Sequence, residues 1–256
     1  MSSSPDLLRR RLLGATLLAP LPGLPLHASA ASAPLRMVNA VHPPFVNPSD
    51  HPRGEGIDIE IAREALRRGG DYRFELELLP WKRALLMLER GEADLTTTIS
   101  RNGDRDRYLA WSSAYRLAAG YSFFARPGSR PRLEGLEGLA GKTIGVLAGY
   151  FYPPNIVEQA GVVLEPARTP AQLAQKLGAG RADLIVISTR VADVELREQE
   201  LARQIERQPY QYPASSPNYM AFSKLRPHAQ PLAAMEAGLA SMARDGSLRR
   251  IEQKYL

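Results

Sequence analysis

The sequence contains no cysteine, and this absence excludes several kinds of chemistry. Disulfide bonds, thiolate catalysis and cysteine-ligated metal sites all require a sulfhydryl group. Histidine is also scarce, because the only four are His27, His42, His51 and His228. Metal sites in proteins that lack cysteine ligands commonly use several histidines. We therefore expect neither a bound metal nor a cofactor.

Dense basic blocks and long apolar runs are missing as well. The formal net charge is +6 at pH 7, but acidic and basic residues alternate, as they do in residues 101–107. Such mixing does not predict a nucleic-acid partner, which favours a clustered basic surface. After residue 30 no segment offers the roughly 20 apolar residues that span a bilayer. The ordinary apolar and charged fractions indicate a globular protein.

The first thirty residues have the pattern of a cleavable export signal. Arg9-Arg10-Arg11 forms a basic start, and residues 12–26 are apolar but interrupted by three prolines. Ala28-Ser29-Ala30 fits the small-x-small cleavage pattern. We therefore predict that residues 1–30 are a signal peptide and that the mature protein resides in the periplasm. An arginine pair allows the twin-arginine route, but Leu8 precedes it, so Sec and Tat export both stay open.

Strands and helices are predicted to alternate along the mature chain, which indicates an α/β protein. The first series has strands at 35–41, 72–78 and 95–99, with helices at 57–68 and 82–90. The second has strands at 143–147, 162–165 and 184–187, with helices at 155–159 and 171–179. A strand at 219–223 and helices at 229–243 and 247–254 end the chain.

A short internal repeat connects the two series. Gly91-Glu92-Ala93-Asp94-Leu95 and Gly180-Arg181-Ala182-Asp183-Leu184 lie 89 residues apart (180 − 91). Each unit joins the end of a helix to the start of a strand, and a repeated unit of this kind predicts two similar α/β lobes. The two aspartates are interpreted as structural, because sites in α/β folds form at the carboxyl ends of strands.

Two segments are predicted to cross between the lobes. The aromatic segment 115–126 leaves the first lobe, and the strand after the proline- and tyrosine-rich stretch 208–217 returns to it. Two crossings form a hinge and leave a cleft between the lobes. The predicted boundaries are 34–122 with 220–256 for lobe 1, 123–219 for lobe 2, and hinges near 120–127 and 215–222.

Motifs of common enzyme classes are absent from the sequence. Gly141-Lys142-Thr143 is similar to the end of a phosphate-binding loop, but Leu136 stands where that loop needs glycine. No dinucleotide-binding glycine motif, nucleophile elbow or zinc-protease motif is present. The sequence therefore predicts no catalytic residues.

The order of motifs resembles the bacterial extracellular solute-binding proteins of family 3, the polar amino-acid type that serves ABC importers. The similarity runs in order over nearly the whole mature chain. It rests on Pro43-Pro44-Phe45, residues 56–62, Trp81 with 91–95, Arg105 with 111–115, residues 139–146 and 221–224, and the terminal segments 245–248 and 251–255. The resemblance implies two Rossmann-like lobes joined by two crossover strands, the type II periplasmic binding fold.

The resemblance also implies a set of ligand-binding residues. In the family an arginine grips the ligand carboxylate with its fork of N–H donors, and Arg105 matches that position. Ser100 and Thr98 match groups that assist it. Trp81 matches an aromatic side chain that packs on the ligand. The first-loop positions that face the cleft correspond to Asn39 and His42.

Two departures from the family pattern concern the ligand. Ser188 stands where the family places the carboxylate that binds an ammonium group, and the loop at 148–154 is unusually aromatic, with Tyr150 and Phe151. We expect an uncommon ligand, either a carboxylate without a standard α-ammonium or an aromatic or larger polar molecule. Glu55 and Asp193 remain candidates for a replacement carboxylate.

The resemblance predicts a periplasmic, monomeric binding protein. It would capture a small polar solute, an amino acid or related carboxylate, by hinge closure, and deliver it to an ABC permease in the inner membrane. Two alternatives stay open. One is an enzyme on the same scaffold, similar to cyclohexadienyl dehydratases, and the other is a binding protein that serves a sensory receptor.

Overall fold

The computed structural model describes residues 33–198, 204–214 and 216–255. The signal peptide predicted at residues 1–30 lies outside these ranges. The strands are β1 Leu35–Asn39, β2 Phe74–Leu78, β3 Leu95–Ile99, β4 Leu109–Trp111, β5 Arg116–Leu117, β6 Tyr121–Ala125, β7 Thr143–Leu147, β8 Val163–Ala167, β9 Leu184–Ser188, β10 Glu206–Tyr212 and β11 Pro217–Ser223. The helices are α1 Ile57–Gly70, α2 Trp81–Glu89, α3 Gly103–Asp106, α4 Pro154–Val157, α5 Pro170–Gly178, α6 Thr189–Glu198, α7 Ala229–Asp245 and α8 Ser247–Tyr255.

The strands form two mixed sheets with corresponding orders. The first sheet runs β2-β1-β3-β11-β4, with β5 paired to β11, and the second runs β10-β6-β9-β7-β8. In each sheet three parallel strands are followed by an antiparallel strand, which is β11 in the first sheet and β6 in the second. This arrangement confirms the predicted α/β class with two Rossmann-like lobes joined by two crossover strands.

The two crossings follow from the strand pairing. β5 ends in the first sheet at Leu117 and β6 begins in the second at Tyr121, so the first crossing covers 118–120. The return crossing runs from the end of β10 at Tyr212 to the start of β11. A Cβ atom on Gly120 would lie 2.2 Å from the carbonyl oxygen of Tyr212, so the crossings touch there. The lobe boundaries 34–122 with 220–256, and 123–219, remain a proposal.

The internal repeat has the same structural role in both lobes. The backbone N–H of Asp94 donates to the carbonyl of Arg36 (2.8 Å), and its Oδ2 accepts from the Arg36 N–H (2.7 Å). Asp183 makes the matching pair of bonds with Thr143, at 2.8 Å and 2.9 Å. Each aspartate thus fixes the start of the first parallel strand of its sheet, β1 or β7, as expected for a structural residue.

Some elements had no clear sequence signal. Within the proline- and tyrosine-rich stretch, β10 forms an edge strand against β6, and its register shifts between Arg207 and Gln211, around Pro209. Proline lacks the N–H of a regular ladder and is tolerated at edges and bulges.

The helices of the described residues are all too short or too polar to cross a membrane.

Candidate functional site

A cavity between the two sheets collects all nine residues proposed from the sequence as ligand contacts. Its volume is about 690 Å³ when the space open to solvent is included. The nine residues in its wall are Asn39, His42, Trp81, Thr98, Ser100, Arg105, Tyr150, Phe151 and Ser188. The other lining residues are Phe45, Ile99, Arg116, Ala118, Ala119, Tyr121, Leu147, Tyr152 and Asn218.

Parallel strand ends explain why these side chains meet. Asn39 ends β1, Ser100 follows β3, Tyr150 follows β7, and Ser188 ends β9. The carboxyl ends of parallel strands share one edge of a sheet, and ligand sites of open α/β sheets form there. Residues distant in sequence therefore line one space.

Arg105 is held in the cavity wall by backbone carbonyls. Asn102 caps the short helix α3 by accepting from the Arg105 N–H (3.0 Å). The guanidinium donates from Nη1 to the carbonyl of Ser100 (2.7 Å) and from Nη2 to the carbonyl of Gly149 (3.0 Å). Burial lowers the pKa of Arg105 from its usual value, but an arginine side chain stays protonated in proteins. The site therefore contains a fixed, buried positive charge.

Trp81 reaches the same carbonyl from the first lobe. Its indole Nε1 donates to the oxygen of Gly149 (3.1 Å), and the Arg105 guanidinium carbon lies 5.9 Å from the indole ring centroid. Gly149 follows β7 of the second sheet. Both donors lie on helices that connect strands of the first sheet, α2 between β2 and β3 and α3 between β3 and β4. One carbonyl of the second lobe therefore accepts two hydrogen bonds from the first.

Aromatic side chains form much of the remaining wall. The Tyr150 ring lies 5.4 Å from His42 and 5.8 Å from Trp81, measured between ring centroids. On the other side, the Tyr121 hydroxyl donates to the carbonyl of Phe151 (2.9 Å). Burial, and secondarily the charge of Arg116, lowers the pKa of His42 to about 4. His42 is therefore neutral at pH 7.

Hydroxyl groups at the end of β3 form a chain that leads away from the cavity. The Asn39 amide donates to the Thr97 hydroxyl (2.8 Å), which lies 3.1 Å from the Thr98 hydroxyl. Thr98 donates in turn to Asp58 Oδ2 (2.7 Å) and has a φ of 58°. A β-branched residue rarely adopts this left-handed conformation, and such strain persists only where surrounding contacts impose it.

Sequence reasoning missed the ion pair at the end of this chain. Asp58 is fully buried on α1, and Arg116 donates to it from Nε (2.8 Å) and Nη2 (2.6 Å). The Arg116 guanidinium also lies 3.8 Å from the Phe45 ring centroid. Burial acts to lower the pKa of Arg116, but the nearby carboxylate of Asp58 raises it on balance. Asp58 and Arg116 lie on separate elements, and no pattern of sequence spacing predicts that they pair. The Gly-x-Asp motif, Gly56-Ile57-Asp58, was the only partial signal for this ion pair.

Neither candidate for a replacement carboxylate reaches the cavity. Glu55 is half-buried and forms an ion pair with Arg63 at 2.6 Å. Asp193 pairs with Arg207 and lines a separate cavity beside the crossings. The hypothesis that either residue replaces the ammonium-binding carboxylate is therefore wrong for this arrangement, because both are held by other arginines outside the site.

Comparisons with known proteins agree with this architecture. The family model for bacterial extracellular solute-binding proteins, family 3, matches residues 35–256. No curated protein sequence matches the chain.

Solved structures show the same fold at low sequence identity. An ancestral arginine-binding protein bound to arginine has a TM-score of 0.73 and 22% identity, covering 88% of this chain and 99% of its own. The arginine-, lysine-, histidine-binding protein ArtJ from Geobacillus stearothermophilus has a TM-score of 0.71 and 19% identity, with coverages of 87% and 94%. A histidine kinase sensor domain similar to periplasmic binding proteins has a TM-score of 0.74 and 22% identity, with coverages of 89% and 97%.

Proposed function

Because the chain belongs to the bacterial extracellular solute-binding proteins of family 3, we propose that it captures a small carboxylate-bearing solute between its lobes for an ABC importer. The observation that carries this proposal is the convergence of Arg105 and Trp81 on the Gly149 carbonyl, in the wall of a cavity built by both lobes. The periplasm is the proposed location, with residues 1–30 removed on export.

The proposed grip uses the fork of Arg105. In the structure two of its donors are bound to neutral carbonyls, those of Ser100 and Gly149. A carboxylate accepts charge-assisted, bidentate hydrogen bonds from guanidinium, and these are stronger than bonds to neutral acceptors. A ligand held by Arg105 that also contacts Tyr150 or Ser188 touches both lobes. Such a ligand stabilises the closed state, because it binds that state better than the open one.

We propose that the cavity binds its ligand without catalysis. Catalysis of acid–base type needs a group whose pKa lies near the working pH. Among the described residues that line the cavity there is no aspartate or glutamate, and His42 has a pKa of about 4. The cyclohexadienyl dehydratase alternative therefore lacks a suitable acid in this wall.

Delivery to a sensory receptor is the second candidate. The structure of a histidine kinase sensor domain is as similar to this chain as those of transport proteins, with a TM-score of 0.74. Hinge closure would serve either partner. Uptake of labelled ligand by cells with and without this protein separates the two, since only the transport role requires lower uptake in its absence.

The test of the carboxylate site begins with a thermal-shift screen of amino acids, organic acids and amines. Ligands that bind only the folded state raise its melting temperature. For the best hit, Arg105→Ala should weaken binding at least tenfold in calorimetric titration. Arg107→Ala is the matched control, because Arg107 follows the same helix but is exposed outside the cavity. Unchanged affinity in Arg105→Ala would overturn the site assignment.

The export proposal has its own test. Mature protein recovered from the periplasmic fraction should begin near Ala31, as determined by N-terminal sequencing. Recovery of a chain that still begins at Met1 would contradict the proposed signal peptide.

A further inference from the structure

The charges around the cavity restrict the ligand further. Arg105 and Arg116 are the ionised side chains among the described residues in its wall. Asp58 lies behind Arg116, fully buried, and both of its oxygens accept hydrogen bonds. The charge of Arg116 is thus neutralised by Asp58. Arg105 has no carboxylate partner among the described residues that line the cavity.

An ammonium group would find few acceptors in this wall. The carbonyls of Ser100 and Gly149 already accept from Arg105, and Trp81 shares the second of them. The side-chain Oδ1 of Asn218 accepts from Arg116 Nη1 (3.3 Å). Burying an ammonium without a carboxylate forfeits a charge-assisted bond, which weakens binding roughly ten- to hundredfold.

An aromatic cage is the other way to bind a cationic group, but two of the best ring faces already meet cations. Arg105 lies over Trp81 at 5.9 Å and Arg116 over Phe45 at 3.8 Å, measured to the ring centroids. Tyr150 packs against Trp81 as well. A ligand cation at either ring would stand beside a guanidinium of the same charge, which opposes the cation–π attraction.

Resting on the proposed function, we propose that the ligand is an organic acid without an ammonium group, with a cyclic, largely apolar body. Its carboxylate binds Arg105. Its body lies against the aromatic wall formed by Trp81, Tyr150 and Phe151. Ser188 supplies a neutral hydroxyl at the end of β9 where an ammonium would require a carboxylate.

Matched pairs of compounds test this inference directly. Each pair shares one skeleton with and without an α-ammonium: 3-phenylpropionate with L-phenylalanine, indole-3-propionate with L-tryptophan, and cyclohexylpropionate with cyclohexylalanine. Glycine betaine, L-arginine and L-glutamine complete the panel. In calorimetric titration the acid of the best-binding pair should bind at least tenfold more tightly than its amino acid. An amino acid or betaine that binds equally well or better overturns the inference, and so does the absence of binding by all the acids.

The variant Ser188→Asp should shift this preference. A carboxylate at the end of β9 offers an ion pair to an ammonium and repels an organic acid, so the acid-to-amino-acid affinity ratio should fall at least tenfold. Ser188→Asn is the matched control, since it adds similar volume without charge. An unchanged ratio in Ser188→Asp overturns the inference.

The two proposals fail separately. If amino acids bind best and Arg105→Ala abolishes that binding, the proposed carboxylate-binding function stands and only the ligand class is wrong. If the acids bind equally well in Arg105→Ala, the site of the proposed function is wrong. Small-angle scattering on the same samples reports whether binding closes the lobes.

Discussion

At the scale of single residues, a buried carboxylate and its hydrogen-bond partners position part of the cavity wall. Arg116 and Asp58 form a buried, bidentate pair, and Thr98 adds a third hydrogen bond to the same carboxylate. Buried ion pairs add little over apolar packing, but breaking one leaves an uncompensated charge. Because Thr98 of β3 donates to the same carboxylate, the main role of this pair is to hold the end of β3 in place.

Asp58→Asn should be strongly destabilising. The substitution removes the charge that compensates Arg116, whose side chain is only 10% exposed, and we expect a loss of about 3–5 kcal/mol in the free energy of unfolding. Glu77→Gln is the control, because its pair with Arg36 is exposed, and it should cost about 1 kcal/mol or less. Urea denaturation measures both. Equal losses would show that the buried pair has no special weight.

His42 should make stability depend on pH. Burial lowers its pKa in the folded state to about 4, from about 6.5 when unfolded, so the unfolded chain binds more protons between these values. The free energy of unfolding should therefore fall, by up to about 3 kcal/mol, as the pH drops from 6.5 to 4.

Denaturation at a series of pH values measures this dependence. His42→Gln should remove its share of the slope between pH 6.5 and 4. His228→Gln retains His42 and should keep the slope. A slope that is the same in the native protein and in His42→Gln would contradict the assignment.

At the scale of elements, close helix contact organises the first lobe. A Cβ on Gly238 of α7 would lie 1.9 Å from the Ala65 carbonyl oxygen, and one on Gly69 of α1 would lie 1.8 Å from that of Ala234. At each of these positions, a glycine of one helix therefore packs directly against the backbone of the other. Helix α1 carries Asp58, so this contact also holds one support of the cavity.

Gly238→Ala should separate these helices. The added methyl group meets backbone rather than a movable side chain, and overpacking of this kind costs about 1–3 kcal/mol. Gly178→Ala is the matched control within α5, where a Cβ meets nothing within 4 Å. It should stabilise by about 0.4–1 kcal/mol, because alanine restricts the unfolded chain. Thermal denaturation measures the melting temperatures of both variants. An equal increase in melting temperature in the two variants would contradict the proposed close contact.

At the scale of the whole molecule, the lobes meet through both aromatic packing and directional hydrogen bonds. Trp81 and Arg105 donate to one carbonyl, and the crossings touch at Gly120. A substitution that removes one of these contacts shifts the balance between open and closed states by the energy of that contact.

Trp81→Phe should favour the open state in the absence of ligand. It deletes the bond to Gly149, and one hydrogen bond contributes about 1 kcal/mol, which changes the open-to-closed ratio about fivefold. Small-angle scattering should show a larger radius of gyration. Trp111→Phe is the control, because that indole lies outside the cavity wall. An equal increase in both variants would point to general loosening rather than a lost contact between lobes.

Local patterns in the sequence were sufficient to predict the α/β class, the two-lobed plan and most elements. The strands at 95–99 and 143–147 have the predicted bounds, because β-branched and apolar residues stand between glycine-containing turns. β10 lacked a comparable signal, since a proline-containing edge strand follows no regular pattern. The nine proposed contact residues line one cavity. They could be predicted because the family motifs include the ends of the strands that surround it. Their binding roles remain proposals.

The sequence by itself determined the alternation of elements, the repeated Gly-x-Ala-Asp-Leu turn and the presence of Arg105, Ser188 and the aromatic loop. Only the tertiary structure decided which charges meet. It paired Asp58 with Arg116, removed Glu55 and Asp193 from consideration, and placed Gly149 against Trp81 and Arg105. The reason is physical: local periodicity specifies a strand or a helix, but ion pairs between separate elements depend on how those elements pack.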